Sequence, residues 1–210
     1  MLAGQHVIVT AGPTHEPIDP VRYIANRSSG RQGFALAGAL AALGARVTLI
    51  AGPVTLPTPV GVTRIDVETA VQMHDAVFAA LPADAAVMVA AVADWRVAAA
   101  GQKIKKGAGA PVLTLVENPD ILATLARDSR RPGLLIGFAA ETEKVVEHAI
   151  AKRARKQVDW IVANDVSGDV MGGADNSIHI VTADGVESWE RLPKHAVAAR
   201  LAQRIAEKMT

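Results

Sequence analysis

The chain has 210 residues, half of them apolar, and a net charge of +1 from 22 basic and 21 acidic side chains. That balance excludes the broad basic field of a general nucleic-acid binder, and the absence of cysteine removes disulfides, thiolate metal sites and thiol nucleophiles together. The longest apolar stretches, 34–45 and 85–93, are too short to span a bilayer and no leader pattern opens the chain, so a cytoplasmic protein with no membrane partner is expected.

The length fits a single domain over 1–210. Residues 6–11 read as a strand, followed by a long polar loop over 12–30 that carries Gly12, Asp19, Arg22 and Asn26 and closes on Ser28, Ser29 and Gly30. A helix over 31–43 begins directly after Gly30, so its free N–H groups and partial positive charge suit a phosphate. The tight G-x-G-x-x-G turn of a dinucleotide site is absent, echoed only by Gly30-x-x-Gly33, and there is no P-loop. Strands over 46–51 and 62–67, a helix over 68–81 stopped by Pro82, and a buried strand over 85–92 come next. A helix over 118–127 is expected to start with Asn118 as its cap and Pro119 at its first position. The remainder reads as strand 134–139, helix 142–157, strand 160–163 and a final helix over 194–208.

Nearly continuous apolar strands separated by helices indicate a mostly parallel sheet covered on both faces. The expected fold is a doubly wound, Rossmann-like α/β domain. Two segments break the alternation. Residues 96–116 have no helical period and read as a flap or arm bearing Lys103, Lys105 and Lys106; residues 177–192 alternate at period two around Ala183-Asp184-Gly185, an edge β-hairpin. In such a sheet, ligands bind beyond the C-terminal strand ends where strand order reverses. The loops after the first, fourth and fifth strands, carrying 12–30, 94–106 and Glu141, are therefore expected to face one crevice. Phosphate or nucleotide binding follows from the residues alone; a nicotinamide-dependent reductase and a non-catalytic nucleotide-sensing module remain as alternatives. The six histidines lack ligand spacing, so no resident metal site is expected. The tryptophans Trp95, Trp160 and Trp189 read as packing rather than binding platforms.

Taken together, TAGPTHEPIDPVRYIANRSSG (10–30), AAVADWR (90–96), KIKK (103–106), ENPDIL (117–122), GFAAET (137–142) and the stretch from Lys152 to Asn164 resemble the phosphopantothenate–cysteine ligase family. The resemblance covers nearly the whole chain. It implies the second half of a two-part bacterial coenzyme A enzyme, with a flavin-dependent decarboxylase as a fused or separate partner and no flavin in this domain. It further implies a homodimer, with the 96–116 arm close to the partner subunit. The implied chemistry joins 4′-phosphopantothenate to cysteine through an acyl-cytidylate made from CTP, with Mg²⁺ arriving on the nucleotide.

Residue by residue, the resemblance makes Asn26, Lys103 and Arg22 catalytic, with Arg22 and Asn26 also holding substrate. Read alone, Asn26 is better explained by a loop amide bonding its own backbone; the alternative for Arg22 is an ion pair with Asp19 or Glu16. Nucleotide contacts are implied for Gly12, Ser28, Ser29 and Gly30 at the phosphate loop. Met88, Val89, Ala90 and Phe138 are expected beside the base, and Asp94 on the ribose. Asn118, Pro119, Asp120, Ile121 and Leu122 would offer a helix start, and Lys103, Lys152 and Lys156 positive charge. Basic residues that end a helix also complement its dipole, which by itself accounts for Lys152 and Lys156.

Overall fold

Apolar strands too short to stand alone are stacked into one sheet. The computed structural model describes residues 1–107, 109–165 and 175–210. Strand β1 (His6–Ala11) is buried at every position. Where a plain polar loop was expected, the chain then forms a hairpin of β2 (His15–Asp19) and β3 (Arg22–Ala25). Helix α1 (Arg31–Ala42), β4 (Arg46–Ala51), β5 (Val62–Asp66), α2 (Ala70–Ala79) and β6 (Ala85–Met88) follow. The arm is closed at its base by pairing of β7 (Trp95–Arg96) with β8 (Val116–Glu117). The remaining elements are α3 (Ile121–Arg127), β9 (Leu134–Glu141), α4 (Val145–Lys156), β10 (Trp160–Asp165), β11 (Asp175–Asn176), β12 (Ile178–Val181), β13 (Val186–Ser188), β14 (Leu192–Pro193) and α5 (Lys194–Met209).

The main sheet has eight strands in the order β13-β12-β10-β9-β6-β1-β4-β5. The run from β5 to β10 is parallel, and β12 and β13 add the antiparallel edge expected of the 177–192 hairpin. Numbering the parallel strands one to six along the chain, their order is 3-2-1-4-5-6, the doubly wound arrangement, with the reversal between β1 and β6.

Period-two alternation divides the core. Val7, Val9 and Ala11 join Leu36, Leu40, Leu201 and Ile205 under α1 and α5. Ile8 joins Met73, Val77, Leu125 and Ile161 under α2, α3 and α4. Each such Val, Leu, Ile or Met side chain, fully removed from water, contributes about 1.5–3 kcal/mol. The β2–β3 hairpin is fastened to the second of these layers by the buried Glu16, whose Oε1 accepts the Ala70 N–H at 2.8 Å, and by the His15 N–H to the Glu68 carbonyl at 2.7 Å. Thr69 and Gln72 complete the start of α2 as a capping box.

Two helix starts differ from expectation. α3 begins at Ile121 with Asp120 as its cap, accepting the Ala123 N–H at 3.0 Å. Asn118 is used otherwise: its side chain donates to the Ala93 carbonyl and its backbone N–H to the Asp94 carbonyl, both at 2.8 Å. α4 begins at Val145 rather than 142, because β9 continues to Glu141 in register with β10.

Candidate active site

Beyond the ends of β1 and β6 the two chains stay zipped together and form a floor. The Val89 N–H donates to the Thr10 carbonyl at 3.2 Å, and the Ala91 N–H to the Gly12 carbonyl at 2.9 Å. The Thr10 and Thr14 hydroxyls accept from Ala90 N–H at 3.2 Å and Ala93 N–H at 3.0 Å. The head of α1 rests on this floor because Gly30, its cap, adopts φ 71° and comes close enough that a Cβ there would lie 3.5 Å from Gly12 Cα. One turn on, a Cβ at Gly33 would stand 2.5 Å from the Ala11 Cβ, so helix and strand touch backbone to backbone. The spaced Gly30-x-x-Gly33 thus does the close-packing work of a dinucleotide turn, with an eighteen-residue insertion, 12–29, ahead of it.

Over the floor lies a cleft of about 1150 Å³, larger than the ~300–1,000 Å³ of an ordinary small-molecule site and roomy enough for two substrates together. One wall is the start of α1. No acidic residue occupies its first turn, and Ser28 and Ser29 stand beside its positive end, the Gly30 N–H donating to the Ser28 Oγ at 3.3 Å. Arg31 on α1 and Lys194 on α5 stand over the same wall. Burial, and then the neighbouring Arg31 charge, pushes Lys194 below the ordinary lysine range. Among the described residues neither cation has a carboxylate partner. Cations in a helix's first turn oppose its dipole, so their placement there does not favour the helices and suits an anion in the cleft.

The facing wall is built from Phe138, Pro119, Asp120, Ile121, Leu122, Lys152 and Lys156. Lys152 Nζ donates to the Phe138 carbonyl at 2.9 Å, and burial pushes this ammonium below its ordinary pKa. Burial alone would raise Asp120, but hydrogen bonds from Lys156 and the Ala123 N–H outweigh it and hold the carboxyl below the usual range. Between the walls lie Met88, Val89, Ala90, Asp94 and Asn118, and at the mouth Asn26, whose Nδ2 donates to the Val92 carbonyl at 2.9 Å.

The cleft therefore gathers Gly12, Asn26, Ser28, Ser29, Gly30, Met88, Val89, Ala90, Asp94, Asn118, Pro119, Asp120, Ile121, Leu122, Phe138, Lys152 and Lys156, from segments far apart in sequence. It leaves out Arg22, Lys103 and Glu141. Arg22 is engaged by Asp19 and by the Ile104 carbonyl; Glu141 pairs with His148 at 3.2 Å. Lys103 lies exposed on the arm. Trp95, read from sequence as packing, is 51 % exposed and lines the cleft, whereas Trp160 and Trp189 are buried. Sequence reasoning missed Arg31 and Lys194. The available signal was a basic residue in a helix's opening turn, where the dipole disfavours it. Among the described residues no three carboxylate or histidine side chains come together as a metal cluster, and no helix is long and apolar enough to cross a membrane.

Residues 2–209 match the family described as the DNA/pantothenate metabolism flavoprotein C-terminal domain. The chain is 47% identical over 215 residues to the coenzyme A biosynthesis bifunctional protein CoaBC of Vibrio cholerae serotype O1, an alignment covering 100% of this chain and 54% of that protein. It is 48% identical over 187 residues to the protein of the same description from Escherichia coli K12, covering 86% and 46% respectively. The chain thus spans about half the length of the curated relatives it matches. The crystal structure of the C-terminal domain of a coenzyme A biosynthesis bifunctional protein CoaBC superposes with a TM-score of 0.85 at 38% identity, covering 99% of this chain and 97% of that one. The DNA/pantothenate metabolism flavoprotein from Streptococcus pneumoniae shares the fold, with a TM-score of 0.82 at 21% identity over 98% of this chain and 100% of that one.

Proposed function

The chain belongs to the DNA/pantothenate metabolism flavoprotein C-terminal domain family, and on that premise we propose that it is a CTP-dependent phosphopantothenate–cysteine ligase of coenzyme A biosynthesis. The carboxylate of 4′-phosphopantothenate attacks the α-phosphate of CTP; the new acyl–phosphate bond forms as pyrophosphate leaves. The amine of cysteine then attacks the acyl carbon of the acyl-cytidylate, the bond to phosphate breaks, CMP leaves, and the amine nitrogen loses its proton to solvent.

The observation that carries the reading is the cleft with Arg31 and Lys194 on one wall, Lys152 and Lys156 on the other, and Asp94 and Asn118 between. Ser28, Ser29, Gly30, Arg31 and Lys194 suit a polyphosphate, Asp94 a ribose diol, and Phe138 a base. Phosphoryl transfer of this kind runs on positioning and charge neutralisation and needs no protein nucleophile. The lysine-rich walls and the lack of an acidic cluster among the described residues fit Mg²⁺ as a companion of the nucleotide. There it would neutralise phosphate charge, and the Asp94 carboxylate is among the cleft oxygens that could hold it. A decarboxylase partner belongs to the same proposal, since the bifunctional relatives are about twice as long.

The deciding measurement is pyrophosphate release from CTP and Mg²⁺ before cysteine is added. Release dependent on 4′-phosphopantothenate is the expected result; tight CTP binding without release would make the chain a binding module instead. The exposed Val21, Tyr23, Trp95, Leu115 and Val116 of the hairpin and arm supply an apolar surface for a second copy of the chain. A dimer mass in light scattering is expected, and a monomer at micromolar concentration would reject it.

A further inference from the structure

Asp19 is an aspartate with 3% of its surface exposed, at the end of a hairpin strand on the protein's rim. Its Oδ1 accepts the N–H groups of Val21 and Arg22, each at 2.9 Å, which closes the local turn. Its Oδ2 does something else. It pairs with the Arg22 guanidinium, through Nε at 3.0 Å and through Nη2, and accepts the Ile104 N–H at 3.1 Å. Arg22 Nη2 in turn donates to the Ile104 carbonyl at 2.8 Å. One ion pair therefore holds both polar groups of a single residue some eighty positions away. The Ala100 N–H adds one more tie, to the Ile18 carbonyl at 2.9 Å. Among the described residues between 97 and 115, these are the hydrogen bonds that fasten the arm to the hairpin.

Ile104 sits between Lys103 and Lys105. We propose that the Asp19–Arg22 pair is a clamp that positions Lys103 through the Ile104 backbone, making Asp19 and Arg22 positioning residues for the CTP-activating half of the reaction. This rests on the ligase reading and on Lys103 serving the triphosphate within it. It gives Arg22 a role at one remove from substrate: its planar fork spans a carboxylate and a carbonyl at once, which a lysine ammonium does not reproduce. The Arg22 guanidinium also holds the Asp19 carboxyl far below the usual carboxylate range, so the clamp stays charged at every pH where such an enzyme is assayed.

Asp19→Asn separates the clamp from the turn. An asparagine oriented with its oxygen in place of Oδ1 still accepts the Val21 and Arg22 N–H groups, while its NH₂ group faces the Ile104 N–H and Arg22 as donor against donor. The expected result is a 10- to 100-fold slower phosphopantothenate-dependent pyrophosphate release, the size of one charge-assisted interaction. Trypsin should cleave after Lys103, Lys105 or Lys106 about tenfold faster, at an unchanged thermal midpoint. In a Lys103→Gln background, Asp19→Asn should then cost less than twofold further, because both changes remove one effect. A wild-type release rate, or a full multiplicative loss in the Lys103→Gln background, would overturn the clamp. Should Asp19→Asn fail to fold, Arg22→Lys, which keeps the ion pair but loses the fork, carries the same expectations. If the wild-type protein releases no pyrophosphate, the ligase reading fails by itself. The clamp is then judged by cleavage alone, with faster cutting upholding the tie to Ile104 and unchanged cutting rejecting it.

Discussion

Asn26→Asp is expected to retain phosphopantothenate-dependent pyrophosphate release while ligation to cysteine falls about 100- to 1000-fold, the usual cost of removing one preorganised donor from a developing oxyanion. Asn26 is held at the cleft mouth by its 2.9 Å bond to the Val92 carbonyl, which fixes the amide plane and leaves its other polar positions to the ligand. A neutral amide both donates and accepts, so in the proposed reaction it can grip an acyl carbonyl as the cysteine amine adds; an ionised carboxylate only accepts and repels that oxygen. The same change sets an oxygen against the Val92 carbonyl and releases the side chain from its anchor. Rapid-quench analysis should find acyl-cytidylate accumulating in the variant. Normal ligation with no accumulated intermediate would remove Asn26 from the second half-reaction.

The largest effect on stability is expected at a residue outside the chemistry. Gly52 follows β4, and a Cβ there would lie 1.6 Å from the Pro13 carbonyl oxygen and 2.8 Å from its carbon. Both neighbours are backbone, so no side chain can swing aside. Pro13 belongs to the segment 10–14 that zips along 89–93 as the cleft floor, and Gly52 itself donates to the Ala11 carbonyl at 2.9 Å. Gly52→Ala must push these layers apart. The expected cost is about 3 kcal/mol or more, at the upper end of overpacking, or a thermal midpoint lowered by about 6–12 °C for a domain of this size. Loss of nucleotide binding should accompany it, since the floor carries Gly12 and the 88–94 wall. A midpoint within a degree of wild type would show that the 13–52 approach does not carry this stability.

The two predictions rest on different kinds of information. Asn26 stood out in sequence only through the resemblance carried by the 10–30 block, since a lone loop asparagine is ordinarily explained by bonds to its own backbone. Gly52 did not stand out: a glycine after a strand, before Pro53, reads as an ordinary turn. Only the packing of the β4 end against the 12–14 turn gives it weight. The hairpin of β2 and β3 was hidden for a related reason. HEPID and RYIA carry no clean alternation; His15 stacks on Tyr23 across the pair at 4.0 Å, and Glu16 and the arm tie the hairpin to the rest of the fold.

By itself the sequence determined the layering and the kind of site. Nearly continuous apolar runs alternating with helices leave a parallel sheet covered on both faces as the arrangement that buries them, and the doubly wound order places ligands past the ends of β1 and β6. These are local patterns, read within a window of ten or so residues. Which distant residues meet was decided only by the tertiary structure. Lys194 comes beside Arg31 because α5 packs along α1, and Ile104 comes under Asp19 across 85 positions because the hairpin and the arm leave the same sheet end. Neither contact leaves a mark on the sequence around it. A hydrogen bond between an ion pair and a remote backbone asks of the residue at position 104 only that it keep its N–H, so any side chain but proline's would be compatible with it.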